Sequence, residues 1–314
     1  MDIQKILGIE KDIKDLNIQG ATNVAIATLE GMKIYIYESE QSDPDLFYKE
    51  LMEVGQRLAN ARENEPLARN GVGYIKYMYK QKNIDLHDIK SMKQALDGFC
   101  EQFLTMIADS KRSIIEQCVP RLKFFENVLT HCHSSTALAV IKGIGEGKDS
   151  FDVVCTESRP RYQGRKTARS LLNEGISTTM IVDSAVESFI IGRGSVPIDT
   201  IFIGSDQITM SGYCINKIGS WGIAMSAYHA SKPVYVVSPL LKVDPSIGVN
   251  DLVIEVREDR ELWPDAPKDL MIYNPAFEVV DRDLVTGFLT EFGIVKPREI
   301  ADIIRAKYAW LFET

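Results

Sequence analysis

Two periods of hydrophobic residues divide the chain. From Ser42 to about Cys118, apolar positions recur every three or four residues: Leu46, Phe47, Leu51, Val54 and Leu58, then Met92, Leu96, Phe99, Phe103 and Met106. That spacing gathers them on one helical face, and the second set predicts a long amphipathic helix ending near Cys118. Ser42-Asp43-Pro44-Asp45 supplies a helix start, with capping side chains, an early proline and acidic residues near the positive dipole end. Lys33–Tyr37 (KIYIY) reads equally as a short strand or the end of a helix.

From Asn127 the period changes. Short β-branched runs at Val128–Thr130, Val153–Val154, Thr178–Val182 and Thr200–Ile203 alternate with helical segments at Ser135–Ile144, Gln163–Glu174 and Ile218–Ala230. Gly175 closes the second of these helices. Val234–Val237 and Leu252–Val256 are expected as a fifth and a sixth strand, and Asp281–Phe292 and Pro297–Tyr308 as closing helices. Such alternation predicts a parallel α/β sheet, whose right-handed crossovers bring every strand's carboxyl end to one edge, where ligands bind. The expected architecture is a helical N-terminal domain over residues 1–122, passing at Val119-Pro120 into a Rossmann-like parallel-sheet domain over 123–314.

Each of the first four strand runs ends on a polar or reactive residue: Cys132, Thr156-Glu157, Asp183 and Asp206. Side chains far apart in sequence would therefore share one crevice. A thiol at Cys132, just before Ser134-Ser135 opens the next helix, is expected to have a lowered pKa; the alternative is a small buried hydrophobe. His131 and His133 flank it, but a metal site built from these two without a further Cys/His cluster is not expected. The loop from Thr156 to Arg165 carries three arginines, of which Arg159 is the candidate phosphate contact; the alternative is a solvated basic loop. Asp206, emerging from a buried strand, is a candidate general acid or else a loop cap. Asn216-Lys217, placed at the start of the next helix, would donate to oxygen-rich ligands. Two polar joints, Gln19-Gly20-Ala21-Thr22 and Arg62-Glu63-Asn64-Glu65-Pro66, are open to either anion approach or plain turn chemistry.

Composition narrows the classes. With 45% hydrophobic and 25% charged residues the chain is an ordinary globular one, and its net charge of −8 argues against a nucleic-acid partner. No apolar run approaches the roughly 18 residues of a membrane span, and MDIQKILGIEKDIK lacks a signal-peptide core. Five scattered cysteines without CxxC spacing argue against a disulfide framework or structural zinc and for a reducing, cytoplasmic setting. There is no GxxxxGK[ST], no GxGxxG opening a helix after the first strand and no GxSxG, which demotes nucleotide hydrolysis, dinucleotide-dependent hydride transfer and α/β-hydrolase chemistry.

LTHCHSSTAL, TESRPRYQGRKTA, IVDSA, GSDQITMSGYCINKIGS and YNPAFEVV, in this order, resemble the ribose-1,5-bisphosphate isomerase family. That family is related to the methylthioribose-1-phosphate isomerases and to the regulatory subunits of the translation factor eIF2B. The resemblance implies a helical domain before a Rossmann-like one. It also implies an aldose–ketose isomerisation with Cys132 as proton acceptor and Asp206 as proton donor, without a cofactor, in nucleotide (AMP) salvage. Substrate contacts would fall on Gly20, Ala21, Arg62, Ser134, Ser135, Asn216, Lys217 and Lys242, with Gln19 and Thr22 beside them. A homo-oligomer (dimer or hexamer), a small phosphorylated sugar as substrate and AMP as an activator are further expectations. Gln19 stands where the family has arginine, Glu63 where it has proline, His133 where it has asparagine and Ser205 where it has alanine. The missing arginine leaves open a monophosphate such as methylthioribose 1-phosphate. A non-catalytic sugar-phosphate- or nucleotide-binding regulatory subunit is the reading outside enzymes.

Overall fold

The computed structural model describes residues 3–81 and 88–313. The chain divides into two compact units: one runs up to Asp109 and takes in Leu241–Ser246 and the residues from Asp302 on; the other is Ser110–Leu240 with Ile247–Ala301.

The first unit is helical: α1 (Ile3–Lys14), α2 (Ala21–Glu38), α3 (Pro44–Ala59), α4 (Pro66–Gln81) and most of α5 (Ile89–Cys118). As expected, α3 starts at the Asp43-Pro44 cap, where the Asp43 carboxylate accepts the Leu46 N–H at 3.0 Å. Lys33–Tyr37 lies inside α2. Met32, Tyr35 and Ile36 are buried at helical spacing while Tyr37 is exposed, so the burial pattern has a period of 3.6 rather than 2. Phe47, Leu51, Leu58, Leu29, Leu67 and Phe103 are wholly buried, each burial contributing about 1.5–3 kcal/mol.

The second unit follows in chain order: β1 (Asn127–His131), α6 (Ser135–Gly145), β2 (Asp152–Thr156), α7 (Gln163–Leu172), β3 (Ser177–Ile181), α8 (Val186–Ile190), β4 (Thr200–Ile203), β5 (Gln207–Thr209), β6 (Cys214–Lys217), α9 (Ser220–His229) and β7 (Val234–Val237). After the two-residue β8 (Val243–Asp244) of the first unit come α10 (Asp259–Leu262), β9 (Phe277–Val280), β10 (Gly287–Thr290) and β11 (Gly293–Val295), and then α11 (Ile300–Lys307), whose residues from Asp302 on belong to the first unit. Among the described residues seven strands form one sheet in the order β11-β10-β7-β4-β1-β2-β3, parallel except for β11 against β10. β1 sits centrally, Val128 pairing with Val153 on one side and Thr200 on the other. Leu129, Val154 and Ile201 are fully buried, which is why these strands read as unbroken apolar runs. No helix among the described residues is long and apolar enough to cross a membrane.

Several expectations need correction. Leu252–Val256 is not a strand; it makes only an isolated bridge from Val256 to Pro275, and Val253 and Val256 are exposed. Asp281–Phe292 is not helical: a short turn at Arg282–Leu284 leads into β10, where Gly287 pairs with Tyr235 of β7. Phe288 and Leu289 are both buried because both faces of that sheet are covered, so their apolar spacing mimicked a helix. The first unit also draws in later parts of the sequence. Asn70 Nδ2 donates to the carbonyls of Leu241 and Val243, both at 2.8 Å, and Trp310 packs edge-on against Tyr74 and Phe103. Two later stretches thus belong with the helices, which local patterning cannot register.

Gly164, in the first turn of α7, has no room for a side chain: a Cβ there would lie 1.7 Å from the Thr156 carbonyl oxygen. Gly164→Ala is expected to cost about 4 kcal/mol or more in denaturant unfolding. Gly98→Ala in α5, where a Cβ meets nothing within 4 Å, is expected to gain up to about 1 kcal/mol.

Candidate active site

β1 and β4 are neighbours, with His131 opposite Ile203. Beyond that register β1 continues into Cys132 and β4 into Gly204-Ser205-Asp206, so the two segments leave the sheet side by side. Cys132 turns through the left-handed region at φ +65°, and Ser134 then caps α6, its Oγ accepting the Ala137 N–H at 3.2 Å. Ser135 is the exposed first residue of that helix. A Cβ on Gly204 would lie 2.7 Å from Ser134 Cβ, so only glycine lets the end of β4 pass this cap. Asp206 donates its N–H to the Ile215 carbonyl at 2.9 Å, tying it to β6, whose last residues are Asn216 and Lys217.

Asn216 and Lys217 therefore stand on a strand, paired with Glu278 and Phe277 of β9, and not at a helix start. The short antiparallel sheet of β5, β6 and β9 places them at the edge where β1 and β4 end. Asn216 donates to Ser220 Oγ at 2.8 Å, and the Ser220 hydroxyl donates to the Lys217 carbonyl at 2.6 Å. The Lys217 ammonium sits 5.0 Å from the centroid of the Phe277 ring.

Cys132, Asp206 and Lys217 lie close enough that each one's charge acts on the others. Burial pushes the Cys132 thiol up to about 11, Lys217 pulls it down and Asp206 pushes it up again. Burial also lowers the Lys217 ammonium, which the negative forms of Cys132 and Asp206 stabilise. The expected lowering of the thiol by the α6 dipole is thus overturned: desolvation of the thiolate outweighs it. Cys132 is still set apart from Cys100, Cys118, Cys155 and Cys214, which are wholly buried, whereas Cys132 is partly open. All five are free thiols. The rate of Cys132 alkylation by iodoacetamide should rise about tenfold per pH unit through pH 8–10 without levelling near the ordinary thiol value. Peptide mass spectrometry across that range is the check; a plateau below pH 9 would contradict the burial.

Polar side chains in the neighbouring segments are held by the protein itself. Both histidines are engaged by the protein: His131 by Thr156 Oγ1 (2.6 Å) and the Ile218 carbonyl (2.8 Å), His133 by Thr167 Oγ1 (3.0 Å). Burial pulls the His133 imidazole down to about 4. Arg161 pairs with Glu261 at 2.8 Å and Arg165 with Glu157 at 2.6 Å, so that part of the basic loop is surface pairing. Arg159 is exposed; its guanidinium donates to the Tyr162 hydroxyl and, at 3.4 Å, to the Leu262 carbonyl. Two carboxylates gain roles that motif reading did not assign. Asp183 accepts the N–H groups of Ser158 and Arg159, both at 2.7 Å. Glu278, within YNPAFEVV, fills the amino end of α9 by accepting the N–H groups of Gly219 and Trp221 at 2.6 and 2.8 Å.

In the first unit Gly20 begins α2 at φ +85°, Ala21 is buried and Thr22 half-buried, and the Gln19 amide turns back to the Leu16 carbonyl at 2.6 Å. Arg62 is buried and paired with buried Glu65 at 3.2 Å. Arg69 donates to the carbonyls of Arg62 and Glu63 (3.3 and 3.0 Å) and pairs with Asp244, while its neighbour Asn70 holds the carbonyls either side of Lys242. Adjacent residues of α4 thus hang both cation-bearing segments from one helix. Neither was singled out in the sequence, because their partners lie up to 175 positions away.

Comparison with known proteins defines the class. Residues 17–297 match the initiation factor 2 subunit family, and the chain belongs to it. Within its relatives, the ribose 1,5-bisphosphate isomerase of Pyrococcus furiosus is 30% identical over 320 residues, spanning 100% of this chain and 97% of that one. The methylthioribose-1-phosphate isomerase of Symbiobacterium thermophilum is 34% identical over 303 residues, spanning 91% and 82%. Among solved structures, translation initiation factor eIF-2B of Pyrococcus horikoshii superposes with a TM-score of 0.79 at 25% identity, covering 93% of this chain and 97% of its own.

Proposed function

We propose that this chain is an aldose–ketose isomerase acting on a sugar 1-phosphate, and that its substrate is ribose 1,5-bisphosphate, converted to ribulose 1,5-bisphosphate in nucleotide (AMP) salvage. The observation that carries the reading is the mutual influence of Cys132, Asp206 and Lys217 at adjoining strand ends. Burial and the neighbouring charges act on the Cys132 sulfur and the Lys217 ammonium together, which sets a proton acceptor beside a cation and a carboxyl.

The phosphate ester on the anomeric oxygen prevents ring opening by loss of that oxygen's proton. Asp206, in its protonated form, donates to the ring oxygen as its bond to C1 breaks. Cys132, as thiolate, removes the proton from C2, and the electron pair forms the C1–C2 double bond of an enol phosphate. The carboxylate then takes the proton of the C2 hydroxyl while the thiol returns its proton to C1, giving the 2-ketose and restoring both groups. Each positioned proton transfer contributes about 10²–10⁴-fold. Lys217, beside both groups, offsets the negative charge on the enol oxygens.

Ser134, Ser135 and the amino end of α6, with Asn216, are the phosphate and hydroxyl donors of this unit. For Gln19, Gly20, Ala21, Thr22, Arg62, Arg159 and Lys242 the assignment as substrate contacts rests on the family resemblance alone, as do assembly into a homo-oligomer and activation by AMP. One observation favours a second reading. Gln19 replaces the family's arginine and turns its amide to a backbone carbonyl, which removes a cation for a second phosphate and suits methylthioribose 1-phosphate. ³¹P NMR of the purified protein with each sugar separates the cases: ribulose 1,5-bisphosphate from the bisphosphate is the expected product. Turnover of the methylthio sugar alone would shift the substrate, and tight binding without turnover of either would make the chain a regulatory binder.

A further inference from the structure

We infer that Ser158, Thr156 and His131 form one directed hydrogen-bond relay that positions Cys132 and ties it to the strand end bearing Lys217. The inference rests on the isomerase reading only for what the positioning serves; the relay itself is read from geometry. Cys132 and Ser158 both occupy the left-handed region, at φ +65° and +63°, where neither side chain type settles unaided. Each is held there by side chains. Cys132 donates its N–H to Ser158 Oγ at 2.9 Å, and its carbonyl accepts the Thr167 hydroxyl at 2.8 Å. Ser158 donates its own N–H to Asp183 at 2.7 Å.

The direction of every bond in the relay follows from its far end. A backbone carbonyl only accepts, so His131 Nε2, 2.8 Å from the Ile218 oxygen, carries the hydrogen. The imidazole is buried, and burial holds it neutral, which leaves Nδ1 bare to accept from the Thr156 hydroxyl at 2.6 Å. With its hydrogen committed there, Thr156 Oγ1 accepts from Ser158 across 3.1 Å. Ser158 in turn is left to accept from Cys132, which is the bond observed. The relay therefore has one polarity from Cys132 to Ile218, with Thr156 and Ser158 wholly buried along it.

Its two ends matter. Ile218 follows Lys217 directly, so the relay joins the segment bearing the sulfur to the segment bearing the cation that pulls that sulfur's pKa down. Gly219 makes the far end possible: at φ +104° it passes the imidazole so closely that a Cβ would sit 3.1 Å from His131 Cε1 and Nε2. These three polar side chains are positioning residues, acting through Cys132 and not on the sugar.

Thr156→Val removes the hydroxyl from a strand position that suits valine, Thr156→Ser keeps it, and Ser158→Ala cuts the next link. With ribose 1,5-bisphosphate as substrate, Thr156→Val and Ser158→Ala are expected to lower kcat about 10- to 100-fold, the loss that goes with a misplacement of about 1 Å, with KM nearly unchanged. Thr156→Ser should restore most of it, and the Thr156→Val/Ser158→Ala double variant should be no worse than the poorer single, since both cut one chain. Iodoacetamide labelling of Cys132, measured without sugar, should change in rate in Thr156→Val and Ser158→Ala and return in Thr156→Ser. Wild-type kcat and labelling in either cut variant, equal losses in Thr156→Ser, or losses that add in the double variant would overturn the relay. Because labelling needs no turnover, absence of isomerase activity in the wild type would count against the functional reading while the labelling series still decides the relay.

Discussion

Replacing Asp206 with asparagine is expected to lower kcat on ribose 1,5-bisphosphate by about 10²–10⁴-fold, the contribution of a positioned general acid, while making Cys132 more reactive. The two effects run in opposite directions for one reason. In the free protein the Asp206 charge pushes the Cys132 thiol up, so its removal lets the neighbouring Lys217 hold the thiolate more readily. The amide keeps the size of the side chain but has no proton to give to the ring oxygen. Lost turnover with faster iodoacetamide labelling is the expected pair of results, read by ³¹P NMR and peptide mass spectrometry. Turnover within a few-fold of wild type would remove Asp206 from the reaction; lost turnover with slower labelling would indicate a disturbed pocket in place of a missing acid.

The second large effect is expected at the sulfur. Cys132→Ser preserves shape but substitutes a hydroxyl that does not ionise in the accessible pH range, so kcat should again fall by about 10²–10⁴-fold. In the proposed mechanism proton abstraction from C2 is the step lost, and KM should change little because the proposed phosphate and hydroxyl donors remain. The unfolding midpoint should also stay near wild type, since Cys132 is only partly buried and its N–H and carbonyl partners, Ser158 and Thr167, are untouched. The pH profile gives the finer test. With the free thiol pushed up to about 11, Cys132 labelling in the wild type should climb with pH through the neutral and mildly alkaline range as the thiolate fraction grows. Lys217→Met, which removes the charge pulling that thiol down, should move the rise to higher pH still.

Much of this site was legible before any coordinates. β1, β2, β4 and β7 are covered on both faces, so they appear in the sequence as continuous β-branched runs, and parallel topology sends their ends to one edge. That ground sets Cys132 and Asp206 at one edge together with the other strand ends; the adjacency of β1 and β4 appears only in the structure, and the two roles come from the family resemblance. What stayed hidden depends on distance or on desolvation. β5, β6 and β9 are three or four residues long and exist through non-local pairing, so in the sequence Asn216 and Lys217 read as the start of the next helix. β10 carries apolar spacing that a helix would share, and only its pairing with β7 decides the matter. The sign of the Cys132 shift is not legible in the sequence, because a dipole can be inferred from a helix start, whereas burial cannot. Glu278, Arg69 and Asn70 act on backbone groups far away in sequence, and nothing in their local context marks them.

In the proposed reaction the Cys132 sulfur faces the sugar phosphate. One labelling experiment addresses it: partial alkylation with iodoacetamide in the presence and absence of ribose 1,5-bisphosphate, scoring modified Cys132 against residual turnover. The other four cysteines are wholly buried and should lag behind. Activity is expected to fall one-for-one with Cys132 modification, and the sugar bisphosphate to slow both together. Protein modified at Cys132 that still turns over at the wild-type rate, or a labelling rate indifferent to the sugar, would contradict it.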